Sequence, residues 1–156
     1  MEDVTTIPAD TLGEGSPIRV EILETDADLY HDMARTMLNK VRENEQIGKP
    51  TVFILPVGPV GQYKRMARVC NLERISLENM WCFNMDEYLT EDGDRLPIDH
   101  PLSFRGHMNR SFLDRLDDEL SPSAEQVIFP DPHDPKKVPM MMEDLGGVDI
   151  CYGGVG

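Results

Sequence analysis

The chain predicts an α/β protein built on a parallel sheet. Two observations lead there first. Short apolar runs alternate with longer stretches whose apolar residues recur every three to four positions. Thr51 to Val57 and Trp81 to Phe83 are nearly unbroken apolar runs, as strands covered on both faces are. A third observation is the order β-α-β-α-β-α-β-α-β, which a parallel sheet with helices on both faces explains.

The elements follow in order. Met1 to Pro17 is acidic and rich in Thr, Gly and Pro, and reads as a flexible leader. It has neither the basic start nor the apolar centre of a signal peptide. Ile18 to Leu23 alternates apolar and polar residues, the pattern of a half-exposed edge strand. Thr25 and Asp26 then cap a helix whose Leu29, Met33, Met37 and Val41 form a core-facing stripe. Gly48, Lys49 and Pro50 end it. The strand Thr51 to Val57 runs into Gly58, Pro59, Val60 and Gly61, and a helix follows with Val60, Tyr63, Ala67 and Cys70 on one face. Strand, glycine-bearing turn and helix together make a place for a phosphate, because the first amides of a helix are unpaired. Neither G-x-x-x-x-G-K-[ST] nor G-x-G-x-x-G occurs, and Pro59 has no amide to donate.

Met80 to Tyr88, M-W-C-F-N-M-D-E-Y, is the centre of the chemistry. Asn84, Asp86 and Glu87 arrive where the strand ends, and ligands of open α/β sheets bind at the carboxyl ends of strands. Asp86 is therefore a candidate base. Glu87, the next residue on an extended backbone, points to the opposite side and is assigned a structural role. Leu89 to Pro101 is a long acidic loop containing His100, which reads as a loop staple. Ser103 caps a helix with Phe104, Met108, Phe112 and Leu116 on one face, and Arg105 and Arg110 off it. Gln126 to Phe129 is a short strand. D-P-H-D-P at Asp131 to Pro135 has metal-capable side chains but no spacing that converges them. Lys136 to Leu145 is a short helix stopped by Gly146 and Gly147, and Val148 to Tyr152 is a last strand entering Gly153 to Gly156. A strand and glycine turn normally lead into a helix, so the fold is expected to be C-terminally incomplete at Gly156.

Bulk properties limit the function. The 156 residues suffice for one domain. A formal net charge of −14 argues against nucleic acid and anionic membranes as main partners. No apolar run reaches the length of a membrane span. Cys70, Cys82 and Cys151 lie among apolar neighbours and read as reduced core thiols, which points to a cytoplasmic protein.

F-N-M-D-E-Y at Phe83 to Tyr88 resembles the signature of the glucosamine-6-phosphate deaminase/isomerase family. L-P-V-G at Leu55 to Gly58 stands where that family has its L-P-T-G phosphate loop. Asp99, His100, Pro101, Ser103 and Phe104 are similar to its H-P-x-S-[YF] segment. G-G-V-G at Gly153 to Gly156 is similar to the start of its G-G-[IV]-G-x-[DN]-G-H motif. The match runs in order over residues 18–156. The related 6-phosphogluconolactonases have a D-E-R type sequence in place of N-M-D-E-Y.

The resemblance implies a Rossmann-like three-layer α/β sandwich, with residues 18–156 forming the N-terminal part of the domain. It implies conversion of glucosamine 6-phosphate and water to fructose 6-phosphate and ammonia, without metal or redox cofactor. Asp86 would carry a proton between carbon 2 and carbon 1. The phosphate would lie against Val57, Gly58, Val60 and Gly61, with Gly154 close by. Two departures stand out. Val57 and Val60 replace the hydroxyl residues of the family loop, and Pro59 removes an amide, so the ligand is expected to be held differently. The family's ring-opening Asp, His and Glu follow the G-G-V-G, so these 156 residues alone are expected to be inactive. Alternatives are a non-catalytic sugar-phosphate-binding module and a 6-phosphogluconolactonase-like hydrolase. The expected partner is a small sugar phosphate, and the edge of an incomplete sheet offers a route to a homo-oligomer.

Overall fold

A computed structural model describes residues 6–154. After a 3-10 turn at Ala9–Thr11 come α1 (Asp26–Gln46), β1 (Thr51–Leu55), α2 (Gly61–Glu73) and β2 (Met80–Asn84). Then follow α3 (Phe104–Ser111), 3-10 turns at Leu113–Arg115, Asp118–Leu120 and Ala124–Gln126, β3 (Val127–Ile128), α4 (Lys137–Asp144) and β4 (Ile150–Cys151). The strands form one sheet in the order β3-β2-β1-β4. Every pairing is parallel, with Thr51 opposite Met80, Phe53 opposite Ile150 and Cys82 opposite Val127. The first five residues of the segment 1–17, read above as a leader, lie outside the described residues.

One face of the sheet is sealed. Met37, Leu38 and Val41 of α1, Tyr63, Met66 and Cys70 of α2, Met108 of α3 and Phe112 just after it close over Phe53, Leu55, Met80 and Cys82. Burying such side chains is the main force holding the layers together, about 1.5–3 kcal/mol for each large one. The local signals work as read. The Thr25 hydroxyl accepts the Asp28 amide at the start of α1, and that of Ser103 accepts the Gly106 amide at the start of α3. Gly146 and Gly147, at φ +86° and +98°, stop α4 in a conformation other residues resist. On the opposite face α4 and the loop before it line an open cleft over Ile54, Phe83 and Cys151, and α4 has no fully buried residue.

That asymmetry explains several corrections. Ile18 to Leu23 is not a strand: it pairs with no strand of the sheet, and Ile18, Val20 and Ile22 are exposed. Alternation without a ladder partner does not make a strand, because the backbone donors and acceptors need one. Leu29 is exposed, and the buried stripe of α1 is Ala34, Met37, Leu38, Val41 and Asn44 instead. The helix begun at Ser103 ends at Ser111 and continues past Phe112 as a 3-10 turn, although Phe112 and Leu116 stay buried. Cys70 and Cys82 are buried free thiols, whose pKa values burial pushes up to about 12. Cys151 is free but exposed, because its side of β4 faces the thinly covered layer.

Candidate functional site

In this sheet the chain leaves β1 toward β2 and β3 on one side and returns to β4 on the other. The crevice outside the carboxyl ends of β1 and β4 is thus a topological switch point, where open α/β sheets bind ligands. The glycine-bearing turns at residues 56–61 and 152–154 both open there.

The sequence-predicted residues divide by packing. A Cβ placed on Gly58 or Gly154 would meet nothing within 4 Å, so both backbones are accessible. Val57 is buried in the core and faces the site only through its main chain. Val60 is half-buried and packs on the core. A Cβ on Gly61 would sit 2.1 Å from the Tyr30 ring, so this glycine lets α2 approach α1. The start of α2 has no side-chain cap. The turn is braced by the Tyr63 hydroxyl, which donates to the Pro56 carbonyl, and by Gln62 Nε2, which donates to Pro59 O at 2.5 Å.

Asp86 is two residues past β2 and exposed. Its neighbours fix its backbone. The Met85 amide donates to Leu55 O at 3.0 Å, extending the β1–β2 ladder one step. Asn84 Nδ2 donates to Ile128 O at 3.0 Å, tying β2 to β3. On the other side Glu87 is anchored, with its side chain only 1% exposed. Its carboxylate accepts from the amides of Phe104 (2.7 Å), Arg105 (3.0 Å) and Tyr88 (2.9 Å), and from the Ser103 hydroxyl and Arg105 Nε (both 3.2 Å). It therefore occupies the amino end of α3, where a negative charge is favoured. Burial raises the Glu87 pKa, but those donors outweigh it and hold the carboxyl below its usual range. Tyr88 packs on Phe104 with ring centres 4.8 Å apart.

Asp86 opens into a cleft of about 690 Å³ between the thinly covered sheet face and α4. Ile54, Phe83, Cys151, Val138 and Met142 give it an apolar floor, and Asn84, Asp86 and Asp131 a polar rim. The acidic loop is fastened beside it. Leu89 bridges Arg95, Arg95 reaches Asp131 at 3.6 Å, and His133 Nε2 lies 2.8 Å from Asp94 Oδ1. Asp131 also accepts its own turn's His133 amide, which together with Arg95 lowers its pKa. His100 is a staple, its Nδ1 accepting the Leu102 amide at 3.2 Å. No metal-binding group of three side chains occurs among the described residues.

Two functions of residues were not read from sequence. Arg105, read only as lying off the apolar face of its helix, holds Glu87 and donates to the Leu96 carbonyl, so it joins the loop to α3. Asp149, passed over at the start of β4, accepts from Asn44 Nδ2 (3.0 Å), Lys49 Nζ (2.8 Å) and the Val52 amide (2.9 Å). Both contacts span separations that no local pattern encodes.

A glucosamine-6-phosphate deaminase of Caenorhabditis elegans is 32% identical over 142 residues, covering 86% of this chain and 51% of the relative. That of Parabacteroides distasonis is 32% identical, covering 72% and 42%. The structure of a monomeric glucosamine-6-phosphate deaminase superposes with a TM-score of 0.72 at 24% identity, covering 89% of this chain and 56% of that one. This chain belongs to the glucosamine-6-phosphate deaminase/isomerase superfamily. A 6-phosphogluconolactonase of Thermotoga maritima shares the fold less closely, with a TM-score of 0.52 at 19% identity. No family model matches. The chain spans about half the length of the curated relatives it matches. The segments that resemble the superfamily's motifs gather at one edge: Leu55 to Gly58 leaves β1, Phe83 to Tyr88 leaves β2, His100 to Phe104 starts α3, and Gly153 and Gly154 leave β4. The last two residues of G-G-V-G lie outside the described residues.

Proposed function

We propose that the protein to which these residues belong is a sugar-phosphate deaminase/isomerase acting on glucosamine 6-phosphate, with Asp86 as the proton carrier between carbon 2 and carbon 1. The observation that carries this reading is the placement of Asp86: an exposed carboxylate beyond the end of β2, on a backbone held at Met85 and Glu87, at the rim of the cleft. A carboxylate free of internal donors can take a proton from carbon and return it. The cleft lining includes Asp86, Glu87 and Asp131 and no cation, so it suits the hydroxyl- and amine-bearing end of the sugar. The phosphate belongs at the switch point, against the open backbones of Gly58 and Gly154, with Val57 and Val60 contributing main chain. Gly61 acts there through packing. Because the ring-opening groups expected from the resemblance are not among these 156 residues, the chain alone should not turn the substrate over.

The test is solvent-deuterium incorporation at carbon 2 of the hexose phosphate, catalysed by the full-length protein. Asp86→Asn should lower exchange by about 10²–10⁴-fold, the usual contribution of a positioned general base. Undiminished exchange would remove Asp86 from the role. Hydrolysis of a phosphogluconolactone without exchange would favour the lactonase reading instead.

A further inference from the structure

On the outer face of α2, away from the Asp86 cleft, we propose a second site that binds the phosphate dianion of a small metabolite. Lys64 and Arg68 stand one helical turn apart, and Arg115 comes from the 3-10 turn beside them. Together with Asn71 and Leu72 they line a notch of about 430 Å³. The notch is built rather than accidental. Asn71 Nδ2 donates to Arg115 O at 2.8 Å, and Asn71 Oδ1 accepts the Asp117 amide at 3.0 Å, which clamps the turn to α2. Arg115 Nε donates to Arg110 O at 3.0 Å, which orients the guanidinium and leaves its outer nitrogens for a ligand.

The charge pattern points to an anion. The chain carries a net charge of −14, yet no acid lines this notch. Three of the acids nearby are engaged elsewhere: Asp117 and Glu119 with Arg74, and Glu73 with Arg42. Lys64, Arg68 and Arg115 make no ion pair among the described residues. Three like charges facing one space repel one another, and a dianion relieves that repulsion. Arginine forks match phosphate oxygens in pairs, and lysine adds a point charge. The notch has the size of a small-molecule site, and exposed Leu72 offers an apolar wall to the carbon part of an ester. A long polyanion is disfavoured, because the rest of the acidic surface repels it.

The experiment is a titration of the isotopically labelled full chain with inorganic phosphate and then glycerol phosphate, followed by amide chemical shifts. Saturable shifts are expected at Lys64, Arg68, Asn71 and Arg115. Arg68→Ala should weaken binding by about tenfold or more, and Arg68→Glu should abolish it. Lys137→Ala, on another exposed surface, should leave it unchanged. Circular dichroism checks the fold, and Lys64→Ala replaces any Arg68 variant that fails to fold. Shifts confined to the turns at Gly58 and Gly154, binding unaffected by Arg68→Glu, or absence of saturation would overturn the assignment. So would tighter binding of a single-stranded oligonucleotide than of the phosphate ester.

Discussion

The two edges of the sheet treat their carboxylates in opposite ways. At the amino edge, Asp149 is nearly buried and saturated by Asn44, Lys49 and the Val52 amide. Burial raises its pKa, but the three donors overcome that and hold the carboxyl below its usual range. This carboxylate fastens the end of α1 and the starts of β1 and β4 together. At the carboxyl edge, Asp86 is exposed and makes no hydrogen bond among the described residues. The same contrast is repeated between adjacent residues, because Glu87 is as saturated as Asp149. A carboxylate whose acceptor positions are filled is committed to the fold. One left open on a fixed backbone is available to a substrate.

Substitution at each kind of carboxylate should break the comparison in opposite directions. The largest effect expected is the loss of carbon-2 exchange in full-length Asp86→Asn. That variant should keep its stability within about 0.5 kcal/mol, as surface changes usually do. Glu87→Ala should reverse the pattern. It leaves the Phe104 and Arg105 amides without their acceptor and strips the Arg105 guanidinium of its partner, so a loss of about 2–4 kcal/mol is expected. Urea unfolding of the two variants measures both. Equal stabilities would show that Glu87 does not hold the start of α3.

Acid should act on the saturated pair next. Both Glu87 and Asp149 have folded-state pKa values below their ordinary ones. Their contribution to stability is therefore fully present above the ordinary carboxylate range and is lost as pH falls through the lowered values. The urea midpoint should drop between about pH 5 and pH 2, and the double variant Glu87→Gln, Asp149→Asn should show a shallower drop. An identical slope in that variant would place the acid sensitivity elsewhere.

What the sequence revealed and what it hid follow the range of the interactions. Strands β1 and β2, the caps at Thr25 and Ser103, and the position of Asp86 at a strand end are written in consecutive residues, and each was legible. Residues 18–23 show the limit. Their alternation is a sound strand pattern, but pairing depends on a neighbour that sequence periodicity does not name. The Asp149 and Arg105 contacts were hidden for the same reason: Asn44 and Asp149 are 105 positions apart. At the candidate site, the pattern found the glycine turn but not the work of each glycine, which depends on what packs behind it.

Gly58 and Gly61 sharpen that last point with the smallest effect expected. Both belong to the same turn, and the sequence assigns both to a ligand. Gly61→Ala would drive a methyl group into the Tyr30 ring, so α1 and α2 must separate, at a cost of about 1–2 kcal/mol from overpacking. Gly58→Ala meets open space and has an ordinary φ, so stability should stay within about 0.5 kcal/mol. Its methyl group would instead stand where the phosphate is proposed to approach the backbone. Hexose-phosphate affinity of the full-length protein should fall in Gly58→Ala at unchanged melting temperature, whereas Gly61→Ala should lower the melting temperature first. If both variants lose stability alike and Gly58→Ala retains affinity, the turn serves packing throughout, and the phosphate must be sought at Gly154 or beyond it.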